Sequence, residues 1–529
     1  MEGCLQRGGP RGALGGLRYN GCTVVGRVDE MLRDLPRGQR ILFVALGLLG
    51  GMGCGLAAGG YMGILFLVAP LVVFVLSLVR PLAGVALLAV ALPTYSLQIP
   101  GIEMSPFRAM GIVVFAGWIL GALVRRDTLP RLRPMDLCAF LYLMAAMLSA
   151  VVNGEAADAI ETDVQLVVLY VMVIGVARTP KAARVLLAAV LIGQVFNGGV
   201  AAYQRQTRNY SFLNPTVDLD AWGQRAPGLS DPNETGIKLA YTMPLALTSM
   251  ALSTTPLVVR GGLGVASCVM LFGLFGTASR GGVITFVAAV ALWMIMWLLS
   301  SSSLPAARGL PNAPPSAASN RMRHIAIAVL LAVVLGGFYM KVVRNRLSED
   351  FERRWNKTMT VDTANPLDDQ AFTGRVGIWR RAMGMFAEKP FFGYGPRTGV
   401  KTDLEGPDDD TTAAHNTVLQ VAVQEGLVGS IPFHLAFWLS LHSLGRRRRE
   451  LLEAGLELDR VYVSTLFVVI LSLMFGALVG TFAHDKDVWF LLGLASAMTA
   501  PGTQKGVEQA EARAESPFPT RRLRGRVTA

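Results

Sequence analysis

Residues 259–300 read VRGGLGVASCVMLFGLFGTASRGGVITFVAAVALWMIMWLLS. Two apolar runs, about 259–277 and 281–300, are each long enough to cross a bilayer as a helix. Only a very short turn, Thr277 to Gly282, joins them, and its glycines allow the two backbones to pack closely. The unit is a hairpin of membrane spans with Arg280 at its tip. On either side of it, similar runs recur at about 41–60, 61–79, 81–98, 107–124, 135–152, 163–177, 181–203, 236–252, 322–341, 427–443, 461–483 and 487–500. The expected fold is an all-α polytopic integral membrane protein of about 12–14 transmembrane helices.

Composition points the same way. Of 529 residues, 52% are hydrophobic and only 16% charged, which is too apolar for ordinary soluble domains. The formal charge of +12 is scattered in short clusters beside apolar runs. That distribution reflects topology and argues against a nucleic-acid partner. None of Cys4, Cys22, Cys54, Cys138 and Cys268 lies in an expected outer loop or forms a close Cys-x-x-Cys pair, so neither a disulfide nor a thiolate metal site is expected. The first forty residues are Gly- and Arg-rich without an apolar core, so the first span, not a cleavable signal peptide, is expected to direct targeting.

Orientation follows from lysine and arginine. With the N-terminus inside, inner connections receive Arg80, the cluster from Arg125 to Arg133, Arg178 with Lys181 and Arg184, Arg260, Arg308 with Arg321 and Arg323, the run Arg446 to Arg449, and the tail Arg521 to Arg526. The connection carrying Glu155, Asp158, Glu161 and Asp163 has no basic residue and falls outside. Both termini are then cytoplasmic. The loops at about 204–235, 277–282, 342–426 and 484–486 lie on the outer face, where the polar constellations gather.

The richest of these is residues 374–429, GRVGIWRRAMGMFAEKPFFGYGPRTGVKTDLEGPDDDTTAAHNTVLQVAVQEGLVG. Val376, Trp379, Met383 and Phe386 mark an amphipathic interfacial helix that Pro390 ends. Gly393 and Gly395 allow a sharp turn. Thr411 or Thr412 is expected to cap a second helix containing His415, Asn416, Gln420 and Glu425, with Gly426 at its C-terminal cap. His415 would then occupy the first turn, where the helix dipole favours a neutral imidazole able to accept a proton. The run Asp408 to Asp410 reads as a solvated turn and not a metal loop.

Each candidate also has a plainer reading. Arg280 and Arg375 are either substrate-holding arginines or interfacial anchors, and Arg225 is either one of that set or a structural residue. Asp231-Pro232-Asn233 caps the following span. His484 beside Asp485 is an orienting pair or a helix-end cap. Taken together, outer arginines and one neutral histidine suit a lipid-linked phosphate, held by guanidinium forks while the imidazole deprotonates a hydroxyl.

Ser279-Arg280-Gly281, Gly374-Arg375 with Trp379, Lys389-Pro390 through Gly393 and Gly395, His415-Asn416, and Glu425-Gly426-Leu427-Val428-Gly429 occur in an order and spacing that resembles the O-antigen ligase and polymerase family of bacterial membrane glycosyltransferases. The resemblance covers roughly 225–485. It implies metal-independent transfer, without a cofactor, from an undecaprenyl-pyrophosphate-linked glycan to a hydroxyl of a glycan or lipid A-type acceptor, at the outer face of the bacterial inner membrane. Arg280 and Arg375 would hold the donor phosphates and His415 would act as general base. Arg225, Asn416, Trp379 and His484 would bind substrate.

The expected organisation is a basic cytoplasmic tail at 1–40, N-terminal transmembrane helices at 41–203, a ligase-like transmembrane region at 204–500 and a basic cytoplasmic tail at 501–529. Ligase and polymerase activities remain open, as does a protein hydroxyl as acceptor. From another class, a polysaccharide transporter or flippase would call for mid-span ionisable residues and inverted repeats, whereas these charges cluster at span ends.

Overall fold

The computed structural model describes residues 62–97, 104–125, 132–155, 157–214, 225–252, 254–302, 375–401 and 411–500. The spans expected at 41–60 and 322–341, both tails, Gly374 and Asp408 to Asp410 lie outside the described residues. The chain divides into two compact units, Met1–Val72 and Val73–Ala529, and every described helix except the first lies wholly in the second.

Thirteen α-helices, one short 3-10 turn at Leu92–Thr94 and one two-stranded ribbon make up the described residues. In order the helices are α1 Met62–Val79, α2 Pro81–Val90, α3 Pro106–Arg125, α4 Pro134–Val152, α5 Ala157–Val176, α6 Pro180–Thr207, α7 Pro232–Ala251, α8 Leu257–Gly276 and α9 Arg280–Ser302. After the undescribed stretch come α10 Arg375–Glu388, β1 Val400–Lys401, β2 Thr411–Thr412, α11 Thr417–Glu453, α12 Glu457–Ala477 and α13 Lys486–Met498. Eight of them are long and apolar enough to cross a membrane: α3, α4, α6, α8, α9, α11, α12 and Ala159–Val176 of α5. The fold is that of an all-α polytopic membrane protein.

Why these helices pack is visible in their exposure. Leu123, Val124, Leu137, Leu141, Val258, Ile431 and Trp438 point outward, as lipid-facing residues do. The shared core is built on large rings, with Tyr142 of α4 stacked on Trp489 of α13 at 5.4 Å between centroids and 4.9 Å from Phe433 of α11. Close approach uses glycine: a Cβ on Gly282 of α9 would press into the backbone of Gly236 in α7.

The connections sort to two ends. At one end Arg184 pairs with Asp459 at 2.8 Å and Arg133 donates to Thr499 at 2.5 Å, joining loops expected inside. At the other end, the connections expected outside are tied to one another, and they enclose the candidate site.

Candidate active site

The site is organised by a break in α11. Gly426 takes φ 60° and ψ −157°, so the helix stops and restarts within one residue. Backbone groups freed by the break find partners in the segment after α10. Tyr394 and Gly395 N–H donate to the carbonyls of Val423 and Gln424, both at 2.9 Å, while Leu427 and Val428 N–H donate to those of Pro390 (2.7 Å) and Phe391 (3.1 Å). A broken helix beside a membrane is stable only when its polar backbone is paired in this way. The cap expected at Gly426 is present, but it ends one half of a continuous element.

The start of α11 differs from expectation. Asn416 is the N-cap, its side-chain oxygen accepting from Val418 and Leu419 N–H at 3.0 and 3.2 Å. Thr411 and Thr412 instead form β2, paired antiparallel with Lys401 and Val400. His415 therefore lies before the helix, not in its first turn, with φ 49°. The ribbon takes Thr411 and Thr412 out of the helix and leaves Asn416, a good cap by residue type, to start it, which explains the shift. The imidazole is nevertheless held neutral: burial, then the charges of Arg375 and Arg225, push His415 down to about 4. The cause is desolvation and arginine, not the helix dipole.

His415 is held through its neighbour. Ala414 donates its N–H to Gln420 Oε1 (2.8 Å) and accepts from Trp379 Nε1 (3.0 Å). Trp379 thus fastens α10 to the residue preceding His415, and Asn416 caps α11, so both expected substrate-binding residues have structural partners here. Among the described residues the His415 ring has no hydrogen-bond partner. The side of α10 that packs against protein differs from the apolar stripe expected to face the membrane. Ala382 and Met385 are its buried residues, in a small cluster with Val400, Ala414 and Val423 that Ile378 packs against, while Met383 is exposed.

The arginines converge on the same place. Arg375 Nη1 donates to the carbonyl of Val479 (3.3 Å), in the connection from α12 to α13. Its pKa is lowered by burial and then by the charge of Arg280, at the first position of α9. Arg225 donates to the Thr277 carbonyl (3.0 Å) and to Asn233 Oδ1 (2.6 Å), and Ser279 Oγ lies 3.4 Å from the same Asn233 oxygen. Thr417 closes the set by donating to the Gly480 carbonyl at 2.8 Å. Arg225, Arg280, Arg375 and His415 are thereby gathered at one end of the bundle.

His484 is differently employed. Its Nδ1 lies 3.2 Å from Asp163 Oδ1 and its Nε2 lies 3.1 Å from Glu425 Oε1, both carboxylates being fully buried. Burial alone would lower its pKa, but its hydrogen bonds and ion pairs with Asp163 and Glu425 raise it to about 10, which favours the imidazolium. Asp485, expected to orient it or cap α13, makes no side-chain cap. It accepts from Tyr95 (2.6 Å) and pairs with Lys238 (3.1 Å). The sequence reading passed over Lys238 and Asp487, and it gave Asp163 only as part of an acidic outer connection. The available signal was an ionisable residue inside an apolar run, as Lys238 is within 236–252.

Among the described residues, no group of three or more His, Cys, Asp or Glu side chains is arranged to hold a metal ion. Cys138 is buried and Cys268 exposed, both as free thiols.

Two comparisons bear on this geometry. A general O-oligosaccharyltransferase of Acinetobacter baylyi (strain ATCC 33305 / BD413 / ADP1) is 29% identical over 140 residues, covering 25% of this chain and 23% of that protein. The match therefore spans less than a quarter of that relative's length. A family model described as O-antigen ligase matches residues 265–434, the segment that contains Arg280, Arg375, His415 and Gly426. In this polytopic membrane protein the likeness to the O-antigen ligase family therefore lies over residues 265–434.

Proposed function

We propose that the protein is a glycosyltransferase of the ligase or polymerase type. It moves a glycan from an undecaprenyl-pyrophosphate donor to a hydroxyl of a glycan or lipid A-type acceptor, at the periplasmic face of the inner membrane. The observation that carries this reading is His415, a half-buried imidazole kept neutral beside Arg375 and Arg225. In the reaction His415 takes the proton of the acceptor hydroxyl as its oxygen bonds to the anomeric carbon. The bond from that carbon to the pyrophosphate oxygen breaks, and the lipid pyrophosphate leaves with the electron pair. Arg280 and Arg375 receive the leaving charge by bidentate donation, the part that a divalent ion plays elsewhere. Arg225, already bonded to Asn233 and Thr277, contributes field and shape.

The deciding experiment is transfer from a purified lipid-linked glycan by the wild type and His415→Ala in detergent with chelator present. Turnover by the wild type and its loss in the variant is the expected result. Wild-type turnover in His415→Ala removes the histidine from the chemistry, and a strict need for divalent ions overturns the arginine account. A second acceptor, a protein hydroxyl, is favoured by the similarity to a protein named a general O-oligosaccharyltransferase. Supplying either acceptor in the same assay separates the two.

A further inference from the structure

The connection between α4 and α5 brings a carboxylate into this assembly from well outside the 265–434 match. Glu155 accepts from the Arg397 N–H through both oxygens, at 3.2 and 3.1 Å. The Thr398 hydroxyl lies 3.3 Å from Oε1 and also reaches the Tyr394 carbonyl at 2.8 Å. Gly395, at φ 103°, passes so close that a Cβ there would collide with the carboxylate. The end of α4 reinforces the contact, since Asn153 Nδ2 donates to the Gly393 carbonyl (3.3 Å) and Ser149 Oγ lies between those of Phe392 (2.6 Å) and Gln424 (2.8 Å).

From this turn a hydrogen-bonded route leads to the histidine. The Thr398 carbonyl accepts from Gln420 Nε2 and Gln424 Nε2, each at 3.1 Å, and Gln424 also donates to the Pro396 carbonyl at 2.6 Å. Gln420 Oε1 then accepts the N–H of Ala414, the residue before His415. One glutamine side chain thus grips the 395–398 turn with its nitrogen and the histidine's backbone with its oxygen. At the far end of the route the acceptor is a carboxylate, and a hydrogen bond to an ionised acceptor is stronger than a neutral one of the same geometry.

We propose that Glu155 is a positioning residue for His415: its carboxylate fixes the 395–398 turn, and Gln420 transmits that placement to the backbone that carries the imidazole. The kinetic consequence rests on the general-base role proposed for His415, whereas the mechanical coupling stands without it.

The test compares full-length wild type with Glu155→Gln in detergent, first by amide hydrogen exchange. The amides of Arg397 and Ala414 are expected to exchange about tenfold faster in the variant, the scale of one lost charge-assisted bond, while those of α12 keep their wild-type rates. Unchanged protection at Ala414 overturns the proposal, whether or not the protein transfers glycan. If Glu155→Gln does not fold, Glu155→Asp keeps the charge but draws the carboxylate back, and the same Ala414 amide gives the answer. Transfer kinetics are the second readout. The kcat is expected to fall about tenfold with donor KM unchanged, and Glu155→Gln with Gln420→Leu to be less than additive. Fully additive losses, or an unchanged kcat in an active protein, overturn it. A wild type that transfers nothing from the lipid-linked donor counts against the proposed function, and the exchange result alone then decides for or against Glu155.

Discussion

His415 and His484 are two histidines with opposite charge states, and the reason in each case is what lies beside the ring. Burial and two arginines discharge His415, whereas Asp163 and Glu425 hold a proton on His484. His415→Ala should lower transfer by about 10²–10⁴-fold, the usual contribution of a general base. Because the folded pKa is about 4, the rate should stay flat through neutral pH and fall only as pH drops through that value. An acid limb near the ordinary histidine value of about 6.5 would mean the ring is solvated in the working protein. Arg375→Lys should be nearly as severe as loss of the charge, since lysine keeps the charge and loses the fork. For His484 the consequence is stability. Its folded pKa is raised, so the stabilisation is fully present below the unfolded value and is lost as pH rises through about 10. His484→Gln leaves two buried carboxylates without their cation and should cost about 3–5 kcal/mol, read as a lower Tm in detergent.

Among the elements, α11 matters most. Its two halves are joined at Gly426, and the polar groups released there are bound by residues 390–395. The conformation is open to glycine, and a Cβ would also strike the backbone of Phe391. Gly426→Ala should therefore lose about 1–3 kcal/mol to strain alone, with the collision added, and show as reduced folded yield and Tm. Part of this element is legible in the sequence: Gly426 reads as a cap, and an apolar run begins at about 427. The pairing partner is not legible, because the bonds join segments some thirty residues apart and use only backbone atoms. The same limit explains the start of the helix. Thr411, Thr412 and Asn416 are all acceptable caps by residue type, and the ribbon with Val400 and Lys401 decides among them.

For the whole molecule, the segregation of the connections has the broadest consequence. Loops assigned to one face by their lysine and arginine content are bonded to one another at one end, and the basic loops at the other. A strain lacking the protein should accumulate donor glycan on its lipid carrier at the outer leaflet, measured by fractionating carrier lipids by chain length. Long chains there indicate a ligase, single repeat units a polymerase, and units trapped at the inner leaflet a flippase instead.

The class of fold, and the choice of Arg225, Arg280, Arg375 and His415 as residues brought to one end of the bundle, can be read from the amino-acid order. Hydrophobic runs and charge placement are local properties, and the bilayer converts them directly into spans and sides. What each of those residues touches is settled by the folded chain. The neutral state of His415, the imidazolium of His484 and the reach of Glu155 toward the histidine all arise from groups distant in sequence. Desolvation and hydrogen bonding depend on the neighbours that folding supplies, and no spacing along the chain encodes them.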